Sequence, residues 1–332
     1  MIKKYPKIEN ADDKLRELCL IALQGEYDGD AYLGALRHME NELAIIKKQG
    51  SASGYIIIKE TLNAVNAKSN EFYFKGTLTG SLISYLLGFS YYDPLIVVPK
   101  VYPEFTYGYD GCKHSDFEMT SSKSLSDRLM EYFENYPGEL PIEYRRDSNG
   151  EVTGVFIGNI EERDSNGSWR MDNFHLSFSS SFKNYAEHEL FTSLFSRLDD
   201  ILNVYHPKNF SEYVKCIDLI MSSGTWNQNV KDMLSSGEVS LDDLIADRED
   251  VFELLLAYGI DRMTAYGIAD DVRMGRINRE GWKKDRLDIV KNAGLPTEII
   301  EQCEKIKYLW TRPHTIAMLS YSILDGHNEK MR

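Results

Sequence analysis

The sequence predicts an α+β protein in which a mixed strand-and-helix region precedes an all-helical one. Three observations carry this. Residues 173–179 alternate strictly, with Phe174, Leu176 and Phe178 on one side and Asn173, His175, Ser177 and Ser179 on the other. That period of two belongs to a half-buried strand. Residues 54–89 read strand, helix, strand, loop, helix, and from about residue 206 onward helical segments punctuated by glycine run to the end.

The elements follow in order. Asn10 or Asp12 caps a first helix through Leu15, Leu18, Cys19 and Ala22, and a second runs from Asp30 to Lys48 with Leu33, Leu36, Met39, Leu43 and Ile46 at helical spacing. GYIIIK reads as a buried strand, ETLNAVNAKS as a helical piece, EFYFKG as another strand and SLISYLLGF as an apolar helix. Residues 100–168 are less regular, with a polar helix around SLSDRLMEYFENY and a hairpin turning at Asn149-Gly150. Helices are then expected at 186–204, 209–221, 226–235, 240–245, 248–257, 261–274, 283–293 and 296–309, with Gly237, Gly259, Gly275 and Gly294 as punctuation.

The loop between the strand EFYFKG and the apolar helix contains Lys75, Gly76, Thr77, Thr79, Gly80 and Ser81. Backbone N–H groups and hydroxyls at such a handover cradle phosphate, and Lys75 adds a positive charge. It is not a Walker loop, because no Gly-Lys-Thr/Ser follows, and a Gly/Thr-rich turn also serves simply as a turn. Near the end, Lys305, Lys307, Arg312 and His314 are interleaved with Tyr308 and Trp310. That mixture suits contact with phosphates and bases, and equally a solvated helix face. Cys112, His114 and Asp116 lack a second sulfur pair, so a loop without an ion is the better reading.

The net charge of -14 argues against a nonspecific nucleic-acid coat but leaves room for a local basic cleft. No apolar run approaches the roughly 20 residues that span a bilayer, and MIKKYPKIENADDK shows no secretory signal. Cys19, Cys112, Cys216 and Cys303 are scattered, so a cytoplasmic protein without membrane contact is expected.

Taken together, these segments resemble the palm and fingers of the Gram-positive, PolC-type DNA polymerase III alpha subunit. ENELAIIKKQGSASGYIII resembles the family's Glu-Leu…Ile-Ile…Gly-Phe…Tyr-Leu-Ile run, and KGTLTGS its Arg-Gly-Ser-Val-Gly-Ser-Ser loop, which serves the incoming triphosphate. YYDPL and CKHSDF, then HPKNFSEYVK, GTW, Asn229, YGIDRMTAYGIADDVRMGR and CEKIKYLWTRPH, all fall in family order. The resemblance implies a nucleotidyltransferase-type mixed-sheet palm followed by an all-helical fingers domain. The implied division is a helical lead-in over 1–50, a palm over 51–205 and fingers over 206–332.

The departures bear on function. Where the family's central palm strand reads Asp-Ile-Asp-Leu-Asn-Phe-Ser, this chain has Asn173, Phe174, His175, Leu176, Ser177, Phe178 and Ser179. The resemblance therefore implies that both metal-binding aspartates are replaced, by Asn173 and His175. Two Mg²⁺ ions need anionic oxygens, which an amide and an imidazole do not supply. The strand carrying the third carboxylate is missing, and Asp199-Asp200 reads as helix surface rather than its remnant. Of the zinc cysteines only Cys112 remains. The domains before the palm and after the fingers are absent, so a stand-alone, shortened form is expected.

The expectation is a non-catalytic paralogue without cofactor. Lys75, Gly76, Thr77, Gly80 and Ser81 would bind nucleotide or DNA phosphate, with Lys305, Lys307, Arg312 and His314 as fingers contacts. A replisome protein is the other possible partner. The alternative is an active polymerase that uses Mg²⁺ through displaced carboxylates, Asp172 with Asp199 or Asp200. A one-residue shift puts Asp172 on the wrong strand face.

Overall fold

The computed structural model describes residues 8–111, 113, 117–136, 142–146, 148, 150, 152–157, 175–176 and 198–330. Expectations placed on Cys112, His114, Asp116, Asp172, Asn173 and the helix over 186–197 lie outside the described residues. The chain divides into two compact units, one of Met1–Val97, Pro103–His188 and Ala317–Arg332, the other of Val98–Tyr102 and Glu189–Ile316.

In the first unit, helices α1 (Ala11–Glu26) and α2 (Gly29–Gln49) bury Leu15, Cys19 and Leu23 against Ala35, Met39, Leu43 and Ile46. These four-residue spacings form one apolar stripe per helix, as the pattern predicts. Gly50, at φ 64°, ends α2 in the left-handed conformation. The next segment corrects the sequence reading, since GYIIIK lies inside helix α3 (Ala52–Ala64) rather than in a strand. Residues Ala52 to Ile58 are all buried, along with Thr61 and Leu62. A run covered on every side shows neither a helical nor a strand period, so burial hid the signal that separates the two.

Strand β1 (Phe72–Phe74) and helix α4 (Leu82–Leu86) stand where they were expected. A 3-10 turn, Gly76–Gly80, joins them. Helix α5 (Pro103–Tyr107) and strand β2 (Met119–Ser121) arise from the segment that showed little regularity. β2 pairs antiparallel with β1, Tyr73 opposite Thr120. Aromatic packing closes this core, with Tyr55 edge-on to Phe117 at 4.7 Å and Phe74 against Phe89 at 4.8 Å.

Helix α6 (Lys123–Glu134) starts on Ser122, whose side chain accepts from Leu125 N–H. The hairpin then forms as predicted from β3 (Ile142–Arg146) and β4 (Val152–Ile157). Strand β5 (His175–Leu176) pairs antiparallel with β4, His175 opposite Phe156 and Leu176 opposite Val155. Among the described residues the strands form two small antiparallel sheets, β1-β2 and β3-β4-β5. Helix-rich α+β describes this architecture, the described strand pairs are all antiparallel, and one isolated parallel bridge joins Asp247 to Trp310.

The second unit is helical. Its elements are α7 (Phe210–Met221), α8 (Gln228–Ser236), α9 (Arg248–Ala257), α10 (Arg262–Arg273), α11 (Arg276–Glu280), α12 (Lys284–Asn292), α13 (Thr297–Lys305) and the start of α14 (Arg312–Lys330). Asn209, Asn227, Asp247 and Asp261 cap α7, α8, α9 and α10 with side-chain oxygens. The expected helix at 240–245 is a short 3-10 turn, Leu241–Asp243.

The helix expected over 296–309 also needs correcting, because α13 ends at Lys305 and an extended strap follows. Lys307 N–H donates to Ser223 O at 2.8 Å, Ser223 N–H to Tyr308 O at 2.8 Å and Leu309 N–H to Arg273 O at 3.0 Å. These partners outcompete the helical ones, and Leu309 becomes fully buried. Gly224 and Gly275 make the strap possible. Both have positive φ, and a Cβ on either would collide with the backbone of Lys305 or Lys307.

Candidate phosphate loop and basic cluster

The predicted phosphate loop separates into an outer and an inner half. Lys75 continues the β1 ladder, its N–H donating to Glu118 O at 2.8 Å, and its ammonium pairs with the Glu118 carboxylate at 3.0 Å. Gly76, at φ 71°, has nothing within 4 Å of where a Cβ would stand. Thr79 Oγ1 donates to Gly76 O at 3.0 Å and closes the turn. Thr77 O accepts from Thr106 Oγ1 at 2.6 Å, and Lys113 Nζ lies 3.3 Å from Thr77 Oγ1 while donating to Phe105 O at 2.7 Å. Lys75, Gly76 and Thr77 are half-exposed, with the Lys113 ammonium on Thr77 and the Lys75 ammonium paired with Glu118 beside the turn.

Gly80 and Ser81 belong to the interior. Ser81 caps α4, accepting from Ser84 N–H at 3.2 Å, and its hydroxyl donates to Glu42 Oε2 at 2.6 Å. Tyr107 OH donates to the same oxygen at 2.9 Å, and Leu82 and Ile83 N–H reach the carboxylate at 3.1 Å each. His38 Nε2 completes the set at 3.1 Å. Glu42 thus supplies the anion that the first turn of α4 attracts, in the position the sequence reading offers to phosphate.

Burial alone would raise the Glu42 pKa. The hydrogen bond and charge of His38, with Ser81 and Ile83 N–H, outweigh it and hold the carboxyl below its usual range. His38 is raised in turn, chiefly by its hydrogen bond to Glu42. Lys113 and Glu42 were not singled out from the sequence. The i, i+4 spacing of His38 and Glu42 was the one local signal, while Ser81, Tyr107 and Thr77 meet these side chains from 36 to 65 positions away.

The C-terminal basic group separates in the same way. Lys305 and Lys307 are exposed, and half-buried His314 stacks on Trp310 at 4.7 Å. Arg312 is only 3% exposed. Its guanidinium donates to Asp247 Oδ2 at 2.9 Å, Asp250 Oδ1 at 2.9 Å, Glu253 Oε1 at 2.8 Å and Lys100 O at 2.8 Å. Burial opposes this charge, but Asp247, Asp250 and Glu253 raise its pKa well above the ordinary value. Arg312 is therefore the hub of an internal ion network. The i, i+3, i+6 spacing of Asp247, Asp250 and Glu253 was the available signal for it, since those positions share a helix face.

Asp218 lies beside this hub, fully buried, its pKa pushed well up by desolvation and by Asp247. It accepts from Thr315 Oγ1. Asp199 and Asp200 sit on a helical turn over 198–202. Asp199 is exposed, and Asp200 accepts from Trp226 Nε1 at 2.8 Å and pairs with Lys231. Of the central strand, β5 places His175 in the sheet. The residue types at 173 and 175, an amide and an imidazole, do not fit a Mg²⁺ donor set.

The site is thus a half-exposed turn beside Lys75 and Lys113 in an α+β chain. Over about a third of its length the chain is similar to bacterial proteins named DNA polymerase III PolC-type. That of Caldanaerobacter subterraneus subsp. tengcongensis is 30% identical over 111 residues, which are 33% of this chain and 8% of the relative. The proteins of Pediococcus pentosaceus and Bacillus cereus are 31% and 30% identical over 117 residues, which are 35% of this chain and 8% of each relative. The similarity supports a relationship to the PolC-type DNA polymerase III family. No family model matches the chain. Among the described residues no helix is long and apolar enough to cross a membrane.

Proposed function

We propose that this chain is a palm-and-fingers relative of PolC-type DNA polymerase III that binds nucleotide or nucleic-acid phosphate without transferring nucleotides. The accessible turn Lys75-Gly76-Thr77, joined by Lys113, carries the reading. It offers an open glycine and the Lys113 ammonium beside Thr77, and a polyanion would displace the half-exposed Glu118 carboxylate from Lys75. The replacement of paired carboxylates by Asn173 and His175 supports the non-catalytic part. Asp200, already engaged by Lys231 and Trp226, makes a poor displaced metal ligand.

Fluorescence anisotropy with a labelled primer–template and a labelled dNTP at low salt tests the proposal. Saturable binding is expected, weakened about tenfold by Lys75→Ala or Lys113→Ala, the scale of one charge-assisted hydrogen bond. No saturable binding of either probe overturns it. Primer extension in Mg²⁺ or Mn²⁺ that is lost on mutating Asp172 establishes an active enzyme instead. The second reading, a replication protein as partner, draws on the burial of Arg312 and on the net charge of -14, both of which reduce the basic surface open to DNA.

A further inference from the structure

A cavity of about 610 Å³ in the helical unit is not part of the phosphate loop. Its volume is that of a pocket which encloses a substantial ligand. Leu244, Leu254, Tyr258 and Ile299 give it an apolar wall, with Ala257 and Tyr258 exposed at the end of α9. Six carboxylates also line it, those of Glu212, Asp242, Asp243, Asp247, Asp250 and Glu253, against two cations, Lys215 and Arg312. Both cations are committed inside the wall, Lys215 to Asp250 at 3.3 Å and Arg312 to Asp247, Asp250 and Glu253. The lining therefore carries a net negative charge, with Asp242 and Asp243 exposed, beside the apolar surface of Leu244, Leu254 and Ile299.

From this combination we infer that the cavity docks a basic, amphipathic peptide segment of a partner protein. An apolar side chain of that segment fills the cavity and its Lys or Arg residues meet the acidic rim. Charge complementarity selects this occupant, because an anionic ligand would face a surplus of four carboxylates over cations. An apolar anchor within a charged rim is also the usual anatomy of a peptide groove. The site lies on a different unit from the phosphate loop and does not depend on it.

The test uses the full chain and two labelled peptides of about twelve residues and equal positive charge, one with Lys and Leu at helical spacing, the other with Lys and Ser. The Lys/Leu peptide should bind at least about tenfold more tightly, as burying one apolar side chain implies. Ala257→Trp, which fills the mouth from an exposed position, should weaken it about tenfold, and Asp242→Lys several-fold. Far-UV circular dichroism confirms that both variants are folded. Lys75→Ala should leave peptide binding unchanged, so failure of the phosphate reading and failure of this one are distinguishable. Equal binding of the two peptides, full competition by spermine, or no effect of either cavity variant would overturn the assignment.

Discussion

Two residues show how sequence and structure divide the labour. Glu42 carries a full negative charge into the core and is compensated by four hydrogen-bond donors and half-buried His38. Glu42→Gln removes that charge and replaces one acceptor oxygen with a donor. It should cost roughly 2–4 kcal/mol, measured by urea unfolding. The pH dependence follows from the two shifts, which describe a single interaction. His38 is raised above 6.5, so its contribution is complete below that value and is lost as pH rises through the raised pKa. Glu42 is lowered below 4.5, so its contribution is complete above that value and is lost as pH falls through the lowered pKa. A plateau between the two is expected in the difference in Tm between the wild type and His38→Asn, with decline on both sides. Arg312→Lys should destabilise the helical unit by several kcal/mol, about 3–5, because an ammonium cannot span four acceptors as the guanidinium fork does. From the letters alone Arg312 resembles a surface cation. Its carboxylate partners lie 59 to 65 positions away, and their spacing shows that they share a helix face but not that Arg312 meets it.

At the scale of elements, the glycines on either side of the strap make the sharpest comparison. Gly275→Ala and Gly224→Ala each combine positive φ with a backbone collision, whereas Gly237→Ala has the same sign of φ but open space. Gly237→Ala should cost about 1 kcal/mol, and each of the other two should cost distinctly more, about 2–4 kcal/mol. Equal effects at the three positions would show that the strap is not held by close backbone approach. The helices with one wet face, α1, α2, α6 and α7, were legible because half-burial writes a period into the sequence. The covered first half of α3, Ala52 to Ile58, and the strap after Lys305 were not, since long-range packing decides both. The β1–turn–α4 handover was legible from Gly76, Gly80 and the flanking apolar runs. That Ser81 would face Glu42 instead of a ligand was not, because it depends on where α2 lies.

For the whole molecule, a charge of -14 together with an accessible pair of lysines predicts phosphate binding that is local and strongly salt-dependent. Raising salt from 50 to 200 mM should weaken primer–template binding through those few contacts. A slope near two in log–log form is the expectation if Lys75 and Lys113 are the main contacts, by the rule of about 0.9 per phosphate for duplex. A steep slope of eight or more would place the contact surface elsewhere.

By the proposed reading the chain holds phosphate through its own cations and without a pair of bound magnesium ions. Equilibrium titration of a labelled dNTP, once in EDTA and once in Mg²⁺, addresses it most directly. Saturable binding of similar affinity is expected in both, weakened together by Lys75→Ala and Lys113→Ala. Binding that appears only with Mg²⁺ and survives the loss of both lysines would contradict it.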